Sequence, residues 1–324
     1  MGKRPPSLDV EKGAVRGYVV GKPARLPPPP PPPPLPPPFI SKPWFSWLVP
    51  LIFVANIVIF IYIMYVNNCP AHMGDPDRCI LYHFLGRFSF QPFKENHAVG
   101  PSVFTLRKLG ALDPIAIVHN GEAWRFFSCE WLHAGVAHLA ANMISLLLIG
   151  IRLEEEFGFL RIGLLYILSG FGGSLMSSLS TKPIISVGAS GALLGLLGAM
   201  LSELIINWTI YANKCAAITN LVIIIAINLA LGFIPHIDNS AHIGGFLSGF
   251  LLGFILLIRP QYGYISRKYI PAGYNLKHKK PKHKCYQHIF RTTALVVLIN
   301  LVNHYIVHFL VQCELLQSLE FRLK

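Results

Sequence analysis

Seven apolar segments divide the chain, at residues 44–66, 131–151, 162–178, 187–206, 215–234, 241–258 and 292–311. Most approach the roughly 20 residues that a helix needs to cross a bilayer core. Of the 324 residues, 53% are hydrophobic and 13% charged, about half the charged fraction usual in soluble domains. The sequence therefore reads as an all-α polytopic membrane protein. The third, fourth and sixth segments are short or polar for a helix surrounded by lipid, which places them inside a bundle. The third carries Gly163, Gly170, Gly172 and Gly173, the fourth Gly191, Gly195 and Gly198, and the sixth Gly245, Gly249 and Gly253. Small residues at such spacings let helix backbones approach closely.

The bases outnumber the acids by 28 to 15, and they cluster in two blocks between apolar stretches. That clustering signals topology rather than nucleic-acid binding. The first block is Lys3, Arg4, Lys12, Arg16, Lys22, Arg25 and Lys42; the second, within residues 259–288, is Arg259, Arg267, Lys268, Lys277, Lys279, Lys280, Lys282 and Lys284 with no acid among them. Both are expected in the cytosol, and the six crossings between them agree with that. The chain after the seventh segment then lies on the far side. Residues 1–43 open with no apolar stretch, so they read as a cytosolic tail and not as a cleaved signal peptide, and Asp9 and Glu11 argue against a transit peptide. Pro27 to Pro34, then Leu35 and Pro36 to Pro38, must form polyproline II, about 3.1 Å per residue. This run is a stiff spacer or a docking ligand for a Pro-binding domain, and its low complexity favours the spacer. The second basic block can also meet anionic lipid headgroups.

Six cysteines without a CxxC pair give no warrant for a structural metal. HExxH, GxxxxGK[ST] and GxGxxG are all absent, so a zinc protease, a P-loop ATPase and a dinucleotide fold have no support. No cofactor or metal is expected.

Polar side chains inside a hydrocarbon core need a partner or a function. His138 and Asn142 lie one turn apart in the second segment, Ser190 stands in Gly188-Ala189-Ser190-Gly191 at the start of the fourth, and His242 follows Ala241 at the start of the sixth. These three segments run in the same direction, from the non-cytosolic side, so their first turns share one leaflet. A serine hydroxyl is a weak nucleophile until a base takes its proton, and His242 is placed to do so. Acyl transfer also needs donors for a developing oxyanion, and Asn142, His138 and the Ser190 backbone N–H can supply them. Taken singly, each residue reads as interhelical packing or hydrogen bonding; the joint placement of base, nucleophile and donors is what points to catalysis.

In these residues the chain resembles the rhomboid family of intramembrane serine proteases, most of all the plant rhomboid-like proteins of the secretase type. The likeness runs from about residue 67 to 260. It includes Trp124-Arg125, Leu132-His133 before His138 and Asn142, Leu153-Glu154 before Phe157-Gly158, Gly188-Ala189-Ser190-Gly191, and Ala241-His242-Ile243-Gly244-Gly245. The resemblance implies a six-helix catalytic core, here residues 44–258, and an added helix after it, within 292–324; the basic stretch 259–291 between them reads as a cytosolic loop by its charge. It implies Ser190 as nucleophile, His242 as base, and His138 with Asn142 as oxyanion donors. The implied substrates are single-pass membrane proteins cut near the non-cytosolic face; the alternative is a rhomboid fold that binds transmembrane segments without cutting them. One position departs from the family: the aromatic residue often found one turn after the nucleophile is Leu194 here, which can still pack against an imidazole.

The segment between the first two helices, about residues 68–130, is long enough to form an embedded or lid-like element. The resemblance places it at the membrane surface with Trp124 at the interface. Arg125 either pairs with Glu122 or acts as an interfacial anchor. Cys69 and Cys79 flank turn residues at Gly74 to Pro76 and are expected to be bridged if the protein enters the secretory pathway (Golgi, endomembrane or plasma membrane), and free thiols if they face a reducing compartment. In the seventh segment His304 and His308 have a spacing that suits a metal, but only the distant Cys313 offers a third ligand, so polar packing against the core is expected.

Overall fold

A computed structural model of the protein describes residues 44–180, 185–211, 213–231, 238–260 and 283–323. The proline run, the basic tail, the bases Arg267, Lys268, Lys277, Lys279, Lys280 and Lys282, and the side chain of Cys313 lie outside the described residues. Among the described residues seven long helices occupy the seven apolar segments: α1 Leu48–Asn67, α2 Val136–Phe157, α3 Phe159–Ser178, α4 Ser190–Ile206, α5 Lys214–Leu231, α6 Asn239–Leu256 and α7 Cys285–Leu323. Five are long and apolar enough to cross a membrane, while the apolar stretches Ser190–Ile206 of α4 and Lys214–Asn228 of α5 are shorter. The fold is therefore all-α and multi-pass, and no strand occurs among the described residues beyond the isolated bridges Ile80–Phe90 and Leu112–Ser186.

Two boundaries differ from the sequence reading. The second helix starts at Val136, because Cys129–Trp131 form a 3₁₀ turn and Leu132 is extended. The seventh begins at Cys285, since Lys284 and its neighbours read as loop by charge yet the helix end is held by a specific side chain. Gln287 is fully buried, and its Nε2 donates to the carbonyl oxygens of Ile206 and Arg259 at 3.2 and 3.1 Å.

Helices α3, α4 and α6 pack backbone to backbone. There is no room for a Cβ on Gly245 against the Gly191 carbonyl, or on Gly249 against that of Gly195. A Cβ on Gly173 would meet the Ala241 carbonyl at 2.6 Å. Direct backbone contact of this kind demands glycine on at least one side. The N-terminus of α1 has no cap of its own, so its orphan N–H groups need an outside acceptor. Glu154 of α2, fully buried, provides it by accepting from the backbone of Trp47, Leu48 and Val49 at 3.0, 2.8 and 2.8 Å and from the Ser46 hydroxyl at 2.7 Å.

The connection between α1 and α2 is a packed element. A disulfide joins Cys69 to Cys79. Asn67 Oδ1, at the end of α1, accepts from Ser102 N at 2.9 Å and from Thr105 Oγ1 at 3.0 Å. Arg125 is buried, and its Nη1 donates to the carbonyls of Arg107 and Ala111 at 2.7 and 2.9 Å while its Nε meets Glu122 at 2.5 Å. The sequence allowed a pair or an anchor; the pair forms, while Trp124 stays half exposed.

Candidate active site

Ser190 is the first residue of α4, and the chain enters it through Gly188, whose φ of +123° suits glycine. That turn is pinned from outside, as Gly188 N donates to the Cys129 carbonyl at 2.9 Å. Because α4 and α6 touch at Gly191 and Gly245, the first turn of α6 lies beside Ser190. His242 Nε2 is 2.8 Å from Ser190 Oγ, and His242 is 7% exposed.

The other ring nitrogen, Nδ1, is buried with no hydrogen-bond partner among the described residues. The nearest acid in sequence on that helix, Asp238, is engaged elsewhere. Its Oδ1 caps α6 by accepting from Ser240 N at 3.0 Å and Ala241 N at 3.1 Å, and its Oδ2 accepts from the Ser177 hydroxyl of α3. The arrangement is a two-residue Ser–His pair whose base is aimed by helix packing and by the Asp238 cap rather than by a third side chain on the ring. Asp238 was overlooked in the sequence, although an Asp directly before an apolar periodic run is a helix-start signal.

His138 and Asn142 line the opposite side of the serine turn. A Cβ on Gly188 would stand 2.6 and 2.9 Å from His138 Cε1 and Nε2, and 3.6 Å from Asn142 Nδ2. His138 Nδ1 accepts from Ala134 N at 3.4 Å, which leaves the ring proton on Nε2, the atom that faces the turn. Asn142 Nδ2 is buried without a partner among the described residues. Two N–H donors thus converge on the segment leading into Ser190, whose own backbone N–H belongs to the unpaired first turn of α4. All four residues singled out in the sequence meet in one place.

The support behind them was not visible in the sequence. Asn96 Nδ2 donates to the carbonyls of Pro101 and Ala134 at 2.7 and 2.8 Å, and Val136 N donates to Val99 O at 2.9 Å. This fixes the start of α2 and hence His138. Nearby, Glu122 is held below its ordinary value, chiefly by the Arg125 hydrogen bond. For Asp113, burial favours the neutral form, but hydrogen bonds from Arg107 and from Ala116 N and Ile115 N prevail and keep its carboxyl low. Glu130, buried against Gly170 of α3, is pushed up to about 9 by burial. Leu194 is buried and packs with Leu197, Leu204 and Leu221, and Phe246, one turn after His242, lies against the same cluster. Among the described residues no group of His, Cys, Asp or Glu could hold a metal.

Residues 120–259 match the Rhomboid domain. The chain is similar to RHOMBOID-like protein 5 of Arabidopsis thaliana, 59% identical over 302 residues that cover 92% of each chain. It is similar to Inactive RHOMBOID-like protein 8 of the same plant, 45% identical over 67% of this chain and 61% of that one. The Rhomboid protease GluP of Bacillus subtilis (strain 168) is 37% identical over 52% of this chain and 32% of its own.

Proposed function

The chain belongs to the rhomboid family, and from that premise we propose that it is an intramembrane serine endopeptidase that cuts single-pass membrane proteins near the non-cytosolic face. The observation that carries this reading is the 2.8 Å contact between Ser190 Oγ and His242 Nε2. In the proposed reaction His242 takes the Ser190 proton as Oγ attacks the scissile carbonyl. The oxyanion is met by Asn142 Nδ2, His138 Nε2–H and the Ser190 backbone N–H. His242 then gives its proton to the leaving amine, and a water activated by the same ring hydrolyses the acyl-enzyme. A residue in a regular helix has its carbonyl hydrogen-bonded and shielded, so the substrate must carry small or helix-breaking residues at the cut.

In this reading residues 44–258 form the catalytic unit, residues 1–43 and 259–291 face the cytosol, and the chain beyond α7 lies in the lumen or outside the cell. The Cys69–Cys79 disulfide supports an oxidising compartment on the side of the first loop, and with it the secretory pathway. Purified protein in liposomes with a candidate single-pass substrate tests the proposal. Wild type cleaves, and Ser190→Ala and His242→Ala each lose cleavage by about 10⁴-fold or more while remaining folded; the double variant is no worse than either single, because the pair acts as a unit. Labelling of Ser190 by a fluorophosphonate separates a protease from a fold that only binds helices: wild type is labelled and Ser190→Ala is not. Cleavage by purified Ser190→Ala would refute the assignment.

A further inference from the structure

The two faces of α7 differ in kind. One docks on the core: Ala294 is buried, Leu298 packs against the main cluster, and Tyr305 and Phe309 pack on Phe126, with the Phe309 and Phe126 ring centroids 5.7 Å apart. His304 and His308 do not share that face; both are exposed, contrary to the packing expected from sequence. The opposite face carries Val296, Asn300, Asn303, Val307 and Leu310, all exposed, with Val296, Val307 and Leu310 at 57%, 59% and 55%.

Their spacing is 4, 3, 4, 3, the alternation of a two-helix seam. The apolar stretch of this helix is Cys285–Val311, so Asn300 and Asn303 sit near its middle, at the depth where lipid offers no hydrogen bond. Asn300 Nδ2 donates to Val296 O at 2.9 Å. This uses one amide hydrogen and leaves the second, with the Oδ1 acceptor, to be met from outside the helix. Asn303 adds one more donor–acceptor pair on the same side. Polar residues in transmembrane segments almost always face a protein interior, not lipid.

We propose that this face is a homodimer interface, in which α7 pairs in parallel with α7 of a second copy through the Asn300 and Asn303 seam. The chemistry selects a second copy over an unrelated helix. Two copies inserted in the same sense are related by a two-fold axis along the membrane normal, which brings like residues together at one depth. Carboxamides are self-complementary, each offering a donor and an acceptor, so Asn opposite Asn satisfies both. Asn at one of the alternating core positions also fixes register. The valines that flank the asparagines supply the β-branched apolar contacts that favour two strands at such a seam. Because α7 is anchored on its other side by Gln287 and Phe309, the seam is held facing outward.

The test uses full-length protein labelled separately with donor and acceptor fluorophores and reconstituted in phosphatidylcholine vesicles over a range of protein-to-lipid ratios. Wild type is expected to show energy transfer that saturates with protein density, and Asn300→Leu with Asn303→Leu to weaken association at least tenfold. A second measurement places cysteine at position 307 by Val307→Cys, in a background with Cys129, Cys215, Cys285 and Cys313 replaced by serine. Oxidation should link two copies there, and should not link them through Tyr305→Cys on the core-facing side. A wild type that stays monomeric at every ratio, or a double variant that associates as tightly as wild type, overturns the proposal. So does a monomeric wild type whose double variant shows a raised KM for a single-pass substrate, which would give the seam to substrate. Neither asparagine belongs to the Ser–His site, so kcat should be unchanged in the double variant. Loss of the dimer and loss of the protease reading are therefore separate results.

Discussion

Helices α3, α4 and α6 meet through glycine backbones, whereas α7 meets the rest of the protein through side chains. In the first region Gly245 and Gly249 of α6 have no space for even one added carbon against the carbonyls of Gly191 and Gly195. In the second, Phe290 stacks on Phe254 with ring centroids 5.3 Å apart and Gln287 bridges three helix ends. Only 6% of the α7 apolar window is buried, against 44% for α6. Backbone contact transmits position with almost no slack, and the Ser190–His242 pair stands at the end of such a contact. Side-chain contact tolerates repacking, which suits a helix that can also serve as an outer surface.

Four substitutions probe that difference. The largest effect is expected from Gly245→Leu, which forces α4 and α6 apart. Overpacking a well-filled core usually costs about 1 to 3 kcal/mol, and here the obstacle is backbone, so the loss is expected at or above that upper end, together with all cleavage. Thermal unfolding in detergent beside Ile299→Leu on lipid-facing α7 checks it; equal melting of the two would break the comparison. Next is Asn142→Ala, at the edge of the glycine trio, which should lower kcat/KM by about 10²- to 10³-fold, equivalent to about 2.7 to 4 kcal/mol, with the fold intact. An unchanged rate would remove Asn142 from the mechanism.

Glu130 gives a smaller and pH-dependent effect. Its folded value is raised to about 9 from an ordinary 4.5, so the folded state holds its proton longer than the unfolded chain. The stability this group permits is complete below about pH 4.5 and is lost as pH rises toward 9. Glu130→Gln should remove that slope and gain up to about 3 kcal/mol at neutral pH, since each pH unit between the ordinary value and pH 7 is worth about 1.4 kcal/mol, read from melting temperature against pH in both proteins; parallel curves would refute the burial argument. The smallest change is expected from Gln287→Ala, which unties the start of α7. It should cost about 1 to 2 kcal/mol and leave kcat nearly unchanged, since α7 holds the core from outside. A loss of activity as large as that of Asn142→Ala would mean that α7 positions the site after all.

Much of this was legible from the residues. Each apolar stretch became a helix because a backbone in lipid must bond within its own segment. Ser190, His242, His138 and Asn142 stood out because polar groups are scarce in such segments, and the structure brings them together at Gly188 and Ser190. For Cys69 and Cys79 the sequence left a bridge or two free thiols open according to compartment, and the structure holds the bridge. His304 and His308 were misjudged, because periodicity gives the faces of a helix but not which face meets a neighbour.

The sequence by itself determined the helical segments, the glycine-lined surfaces and the polar side chains that stand out inside them, since these depend on local chemistry and on the rules of a bilayer. The tertiary structure alone decided that His242 Nε2 reaches Ser190 Oγ, that Asp238 caps α6 instead of holding the His242 ring, that Glu154 closes the end of α1, and that the asparagines of α7 face outward. Each of these is a contact between segments distant along the chain. Such contacts are set by how packed helices rotate and slide against one another, a freedom that no local pattern of residues removes.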